Sequence, residues 1–123
     1  MDHETKFLME IEINGLPRMT NNQWTNWRVR AADVRKWKEL VYFHAMRHRP
    51  DEPLTKARLT LTRFSLMRPD YDGLVSGFKC IIDGLILSKI IIDDNHDVIG
   101  IPEYKWEKIG HRKGKIAIKV ESI

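Results

Sequence analysis

The densest chemistry in this sequence lies in residues 68–97, RPDYDGLVSGFKCIIDGLILSKIIIDDNHD, which carry Asp70, Asp72, Asp83, Asp93, Asp94 and Asp97. Carboxylates inside an otherwise apolar segment are unfavourable unless a cation gathers them. Their oxygens are hard donors, the kind Mg2+ takes in octahedral geometry at about 2.0–2.1 Å while it keeps some waters. One or two such ions activate a water and stabilise the leaving oxygen of a phosphodiester. Lys79, one helical turn from Asp83, would offset charge developing on that phosphate.

The elements that must position these groups can be read from periodicity. At about 100° per residue, the pattern predicts a helix over 72–88. Asp72, Ser76, Lys79 and Asp83 fall on one narrow polar stripe, and Leu74, Val75, Phe78, Ile81, Ile82, Leu85 and Ile86 fall roughly opposite. Taken alone, that stripe reads first as a salt-bridged solvent face, Asp–Lys–Asp at helical spacing. Gly73, Gly77, Cys80 and Gly84 make a third stripe of small residues. Each helical glycine costs about 1 kcal/mol against alanine, so this side is expected to be closely approached, by tight packing within the monomer or by a partner. Asp70 and Asp72 flank Tyr71 at the helix start, where an Asp also serves as cap and dipole partner. Asp93 and Asp94 follow the apolar run 90–92. Neighbours in an extended segment point opposite ways, so one of the two is expected to enter a shared site, and a turn at 94–95 is the structural alternative. Asp97 is read as a turn residue.

The rest of the chain supplies a frame. Residues 6–14 alternate as a half-buried strand, with Phe7, Met9, Ile11 and Ile13 on one face. The polar loop 15–27 carries Arg18, Asn21, Asn22, Trp24 and Asn26; it reads as a helix start capped by Thr25 or Asn26, as a DNA-facing loop, or as both. Residues 27–48 form a helix whose apolar face is Ala31, Val34, Trp37, Val41 and Ala45, with Arg28, Arg30 and Arg35 mostly off it. Residues 56–67 alternate as a strand, Leu59 and Leu61 opposing Thr60, Thr62 and Phe64. Residues 98–109 and 115–122 read as two strands joined by a hairpin turn at 110–114. The order β-α-β-α-β-β predicts a single α+β domain over 1–123, a mixed and mainly four-stranded sheet with two helices packed on one face.

Composition narrows the class of function. Hydrophobic residues are 42% and charged residues 31%, ordinary for a globular chain. No apolar run reaches the roughly 20 residues of a membrane span, and the first residues lack the basic-then-apolar order of a signal peptide. One cysteine, Cys80, allows no internal disulfide and is expected to be a small core residue, in keeping with a cytoplasmic protein. The net charge is +4, with acids concentrated in the central stretch and Arg and Lys in the flanks. A local acidic cluster framed by basic surface suits a metal-dependent enzyme acting on a polyanion.

RPDYDGLVSGFKCIIDGL followed by DDNHDVI resembles the RusA-type Holliday junction resolvases, endonucleases common in phages and prophages. LPRMTNNQW resembles that family's early strand exit with its paired Asn. The resemblance spans most of the chain. It implies a cytoplasmic homodimer in a bacterial or phage-infected cell that acts in DNA recombination and repair. Such an enzyme resolves four-way junctions by paired symmetric nicks with Mg2+, Mn2+ being a substitute. Carried over by position, Asp70, Asp72 and Asp94 match the metal ligands and Lys79 the catalytic lysine, with Asp83 and Asp93 in support. Arg18, Asn21, Asn22, Arg28, Arg30, Arg35, Arg68 and Lys105 are candidate DNA contacts. There are departures: Gly73 stands where Asn is usual, and His96 replaces the usual Gln. The spacing from Asp72 to Lys79 is three residues longer, which leaves Ser76 at the simple count position; nearly one helical turn of insertion keeps Lys79 on the Asp72 stripe. A nuclease for other branched DNA and a non-catalytic DNA-binding module are the rival readings.

Overall fold

The computed structural model describes residues 6–18 and 26–123. They form β1 (Leu8–Asn14), α1 (Trp27–Ala45) with a 3-10 turn (Met46–His48), β2 (Ala57–Ser65), α2 (Tyr71–Gly77), α3 (Lys79–Leu87), α4 (His96–Ile99), β3 (Glu103–Lys108) and β4 (Lys115–Ser122). This is an α+β domain on a four-stranded mixed sheet, in the order β1-β4-β2-β3. β4 pairs antiparallel with β1 and β2, and β3 runs parallel to β2.

The alternations in the sequence become the two faces of this sheet. Met9 and Ile13 of β1, Leu59 and Leu61 of β2, and Ile116, Ile118 and Val120 of β4 are buried on one side. The registers Met9↔Val120, Leu59↔Val120 and Leu61↔Ile118 stack them into rows. Trp37, Val41 and Ala45 of α1 and Ile81 and Leu85 of α3 complete the same core. The other side of β1 and β4 is charged, with Lys115 2.7 Å from Glu12. Helix α1 begins where Asn26, in an extended conformation, accepts a 2.7 Å hydrogen bond from the Arg28 N–H.

The small-residue stripe has a use inside the monomer. A Cβ on Gly84 would sit 2.7 Å from Val41 Cβ and 3.3 Å from the Lys38 carbonyl oxygen, so α1 and α3 cross in close contact there. Cys80 is buried beside it, and its thiol is pushed up to about 11 by burial, which suits a packing residue.

Three expectations about local structure need correction. The helix expected over 72–88 is broken at Phe78. Its N–H bonds back three residues to Val75, and the four-residue ladder resumes with Ile82 bonding to Phe78. Gly77, a weak helix former, precedes the tightened turn. Residues 98–102 are not strand: Asn95 caps α4 by accepting from the Val98 N–H, and Gly100, at φ +58°, ends it. Residues 110–114 are not a hairpin turn, because β3 and β4 do not pair; the connection passes over β2. Burial gives the reason. The inner face of β4 is entirely buried and needs neighbours on both sides, whereas β3 alternates Glu and Lys with half-buried Tyr104 and Trp106 and suits an edge. No helix among the described residues is long and apolar enough to cross a membrane.

Candidate active site

The segment between the parallel strands β2 and β3 carries the acidic residues. Pro69 keeps Arg68 out of the helical region, and Asp70 then takes the N-cap of α2, its Oδ1 accepting from the Gly73 N–H at 2.7 Å. Asp72 is exposed in the first turn of α2. Ser76, at the simple count position, turns its hydroxyl back on the Gly73 carbonyl, 3.1 Å away.

Lys79 opens α3, and its ammonium lies 3.1 Å from Asp83 Oδ1 and 2.9 Å from Asp94 Oδ2. The first contact is the one-turn pair that the stripe predicts. The second is long-range and depends on how residues 88–95 are held. Ile90 and Ile91 are buried, the Leu54 N–H donates to the Ile90 carbonyl at 2.9 Å, and the Ile92 N–H donates to the Leu54 carbonyl at 3.0 Å. These anchors deliver Asp94 to Lys79. Asp93 turns elsewhere: its Oδ1 accepts from the Asp94 N–H and its Oδ2 from the Asn95 side-chain amide. The pair therefore divides, Asp94 toward Lys79 and Asp93 toward its own loop. His96 and Asp97 lie in α4, and the Asp97 carbonyl oxygen is 3.3 Å from Lys56 Nζ.

Electrostatics fixes both partners in their charged forms. The hydrogen bond from Lys79 holds the Asp94 carboxyl below its ordinary value, and the hydrogen bond to Asp94, with Asp83 adding, raises the Lys79 ammonium above its own. Lys79 is thereby favoured as the cation. Its side chain is 62% exposed, within reach of a ligand from solvent.

No family model matches the chain, and no curated protein matches it.

The donor chemistry of Asp70, Asp72 and Asp94 fits a hard divalent cation, since every side-chain donor is a carboxylate oxygen. The structure does not gather them: among the described residues, no three Asp, Glu, His or Cys side chains stand close enough together to hold a metal ion. Asp70 and Asp72 lie at the start of α2, whereas Asp94 meets Lys79 at the start of α3, beyond the break at Phe78.

Beside Asp70 is a pocket of about 350 Å³ lined by Arg68, Asp70, Tyr71, Leu74, Tyr104 and Trp106. The parallel register Arg63↔Trp106 brings the carboxyl end of β3 next to that of β2, where α2 begins. Sequence reading singled out neither Tyr104 nor Trp106. Their alternation within β3 was a signal, but its meaning depended on which strand β3 joins.

The candidate DNA contacts divide in the same way. Arg28, Arg30 and Arg35 lie on α1, and the Arg28 guanidinium covers the Trp27 ring at 5.3 Å. The Arg68 guanidinium covers Trp106 at 5.7 Å. Lys105 stands 3.6 Å from Glu103. Arg18 is exposed and donates its backbone N–H to Asp33. Asn21, Asn22 and Trp24 lie outside the described residues.

Proposed function

We propose that this chain is a Mg2+-dependent endonuclease of the RusA type, which resolves four-way DNA junctions by phosphodiester hydrolysis. The observation that carries the reading is the Asp83–Lys79–Asp94 bridge. A solvated helix face needs only the one-turn pair; here a separate, anchored segment brings a second carboxylate to the same exposed lysine. The aromatic and basic pocket beside Asp70 and the arginines of α1 supply surface for a polyanion.

In this reading Asp70, Asp72 and Asp94 would hold Mg2+, or Mn2+ in its place. When bound, the ion supplies an activated water and Lewis-acid stabilisation of the phosphate. Lys79 would stabilise negative charge on the phosphoryl oxygens, with Asp83, one turn away, orienting it. Asp70 also holds the start of α2 in place. Arg18, Arg28, Arg30, Arg35, Arg68 and Lys105 would contact phosphates, and a homodimer would present two such sites to the two symmetric strands of a junction. The enzyme would act where DNA is, in the cytoplasm.

The test uses a synthetic four-way junction with Mg2+ and an Asp72→Asn variant. The reading requires paired symmetric nicks by the wild type and junction binding without nicking by the variant. Equal nicking of linear duplex would overturn the preference for junctions, and full activity in the variant would overturn the site. Binding without cleavage by the wild type would leave a DNA-binding module.

A further inference from the structure

The pocket beside Asp70 has walls that the phosphodiester chemistry does not use. Tyr71 is 63% exposed at its mouth. Its ring meets Tyr104 edge-on at 6.3 Å, and Tyr104 packs against Phe78 at 6.1 Å. Trp106 is held from the other side, its indole N–H donating to Ser65 Oγ at 2.9 Å, with the Arg68 guanidinium over its face. The aromatic walls are therefore braced by contacts of their own. The volume of about 350 Å³ lies in the range of small-molecule sites, roughly 300–1,000 Å³.

The pocket also adjoins the acidic cluster. Asp70 belongs to both, and Lys79 follows Phe78, on which Tyr104 rests. Burial raises the Tyr104 hydroxyl, and the charge of Lys79 acts on it in the opposite sense.

We propose that the pocket formed by Arg68, Tyr71, Tyr104 and Trp106 is a subsite for one unpaired nucleobase of the strand whose phosphate meets Lys79. The inference rests on the nuclease reading and adds a substrate feature to it. A base stacks on aromatic faces whatever its identity, and an arginine adds a cation to the stack. Bases inside a duplex have both faces covered, so this pocket takes one only from a branch point, an end or a single strand. That would make selection of branched DNA a property of the site, independent of the shape of the whole junction.

The test is a pair of fluorescence-anisotropy titrations, in EDTA to prevent cutting, with a short single-stranded oligodeoxynucleotide and with an abasic strand of equal length. Both carry the same phosphates, so the salt-dependent charge contribution cancels in the comparison. The wild type should bind the intact strand about ten-fold or more tightly. Tyr71→Ala should remove that preference and leave abasic binding unchanged, while Tyr71→Phe should keep it. Equal affinity for the two strands in the wild type would overturn the base subsite. A preference surviving in both Tyr71→Ala and Trp106→Leu would overturn its location. Nicking of a junction in a parallel Mg2+ assay separates the two readings: nicking with equal strand affinities removes the subsite alone, and failure to bind either strand or the junction removes both.

Discussion

At the start of α2, Asp70 and Asp72 face a backbone end and open solvent; beside α3, Asp83 and Asp94 share the ammonium of Lys79. Both pairs belong to one helix-and-loop unit. The first pair is placed by local rules, because an Asp before a helix caps it whatever the rest of the chain does. The second pair depends on a contact across fifteen residues, made only because Ile90 and Ile91 are buried and tied to Leu54. Local rules thus place carboxylates where a helix wants them, and packing brings a distant one to a cation. A metal reaching both pairs must compete with Lys79 for Asp94.

If the chain is the proposed nuclease, the largest effect falls on cleavage: Asp94→Asn should lower junction nicking in Mg2+ by about 10²–10³-fold and leave junction binding within a few fold; a gel assay scoring bound and nicked DNA reads both. Activity near wild type would reduce the Asp94 contact to a surface ion pair. Next in size, Gly84→Ala should destabilise the fold by about 1–3 kcal/mol in urea melts, because its Cβ would meet Val41. The loss belongs to the α1–α3 contact and says nothing of chemistry, so unchanged stability would mean that the helices do not cross there.

A finer division separates capping from ligation at Asp70. Asp70→Ala should cost about 1 kcal/mol through the lost cap, and Asp70→Ser should restore most of it. If Asp70 also holds metal, both variants lose nicking. Recovery of nicking in the serine variant would assign Asp70 to the cap alone.

The smallest effect concerns pH. The lowered pKa of Asp94 contributes stability fully present above the ordinary carboxylate value of 3.8 and lost as pH falls through the folded value. The raised pKa of Lys79 contributes stability fully present below 10.5 and lost as pH rises through the folded value. The stability difference between wild type and Lys79→Ala, measured without metal, should therefore be flat between those limits and shrink beyond each. It should stay under about 1 kcal/mol, since the pair is exposed. A difference that rises at either extreme would mean that Lys79 has other partners.

Much of the frame was legible before the fold. Period two in β1, β2 and β4 marked the buried rows, period 3.6 in α1 marked Trp37, Val41 and Ala45 together with Ala31, which is exposed, and the start of α1 was placed at Thr25 or Asn26, of which Asn26 caps it. The one-turn pair Lys79–Asp83 also follows from local geometry. The break at Phe78 and the extension of α4 through Val98 and Ile99 were not legible, because each depends on a competition between hydrogen-bond ladders that hydrophobic period does not weigh.

By itself the sequence determined which residues share a face, which of them cap, and that an acidic stretch lies within a basic chain. Tertiary structure alone decided which strands are neighbours, and with that the candidate site. Setting β3 against β2 rather than β4 brings Tyr104 and Trp106 to the start of α2, and anchoring residues 90–92 beside Leu54 brings Asp94 to Lys79. Periodicity fixes the direction of a side chain relative to its own backbone, whereas partners distant in the chain are chosen by the burial of all the elements together.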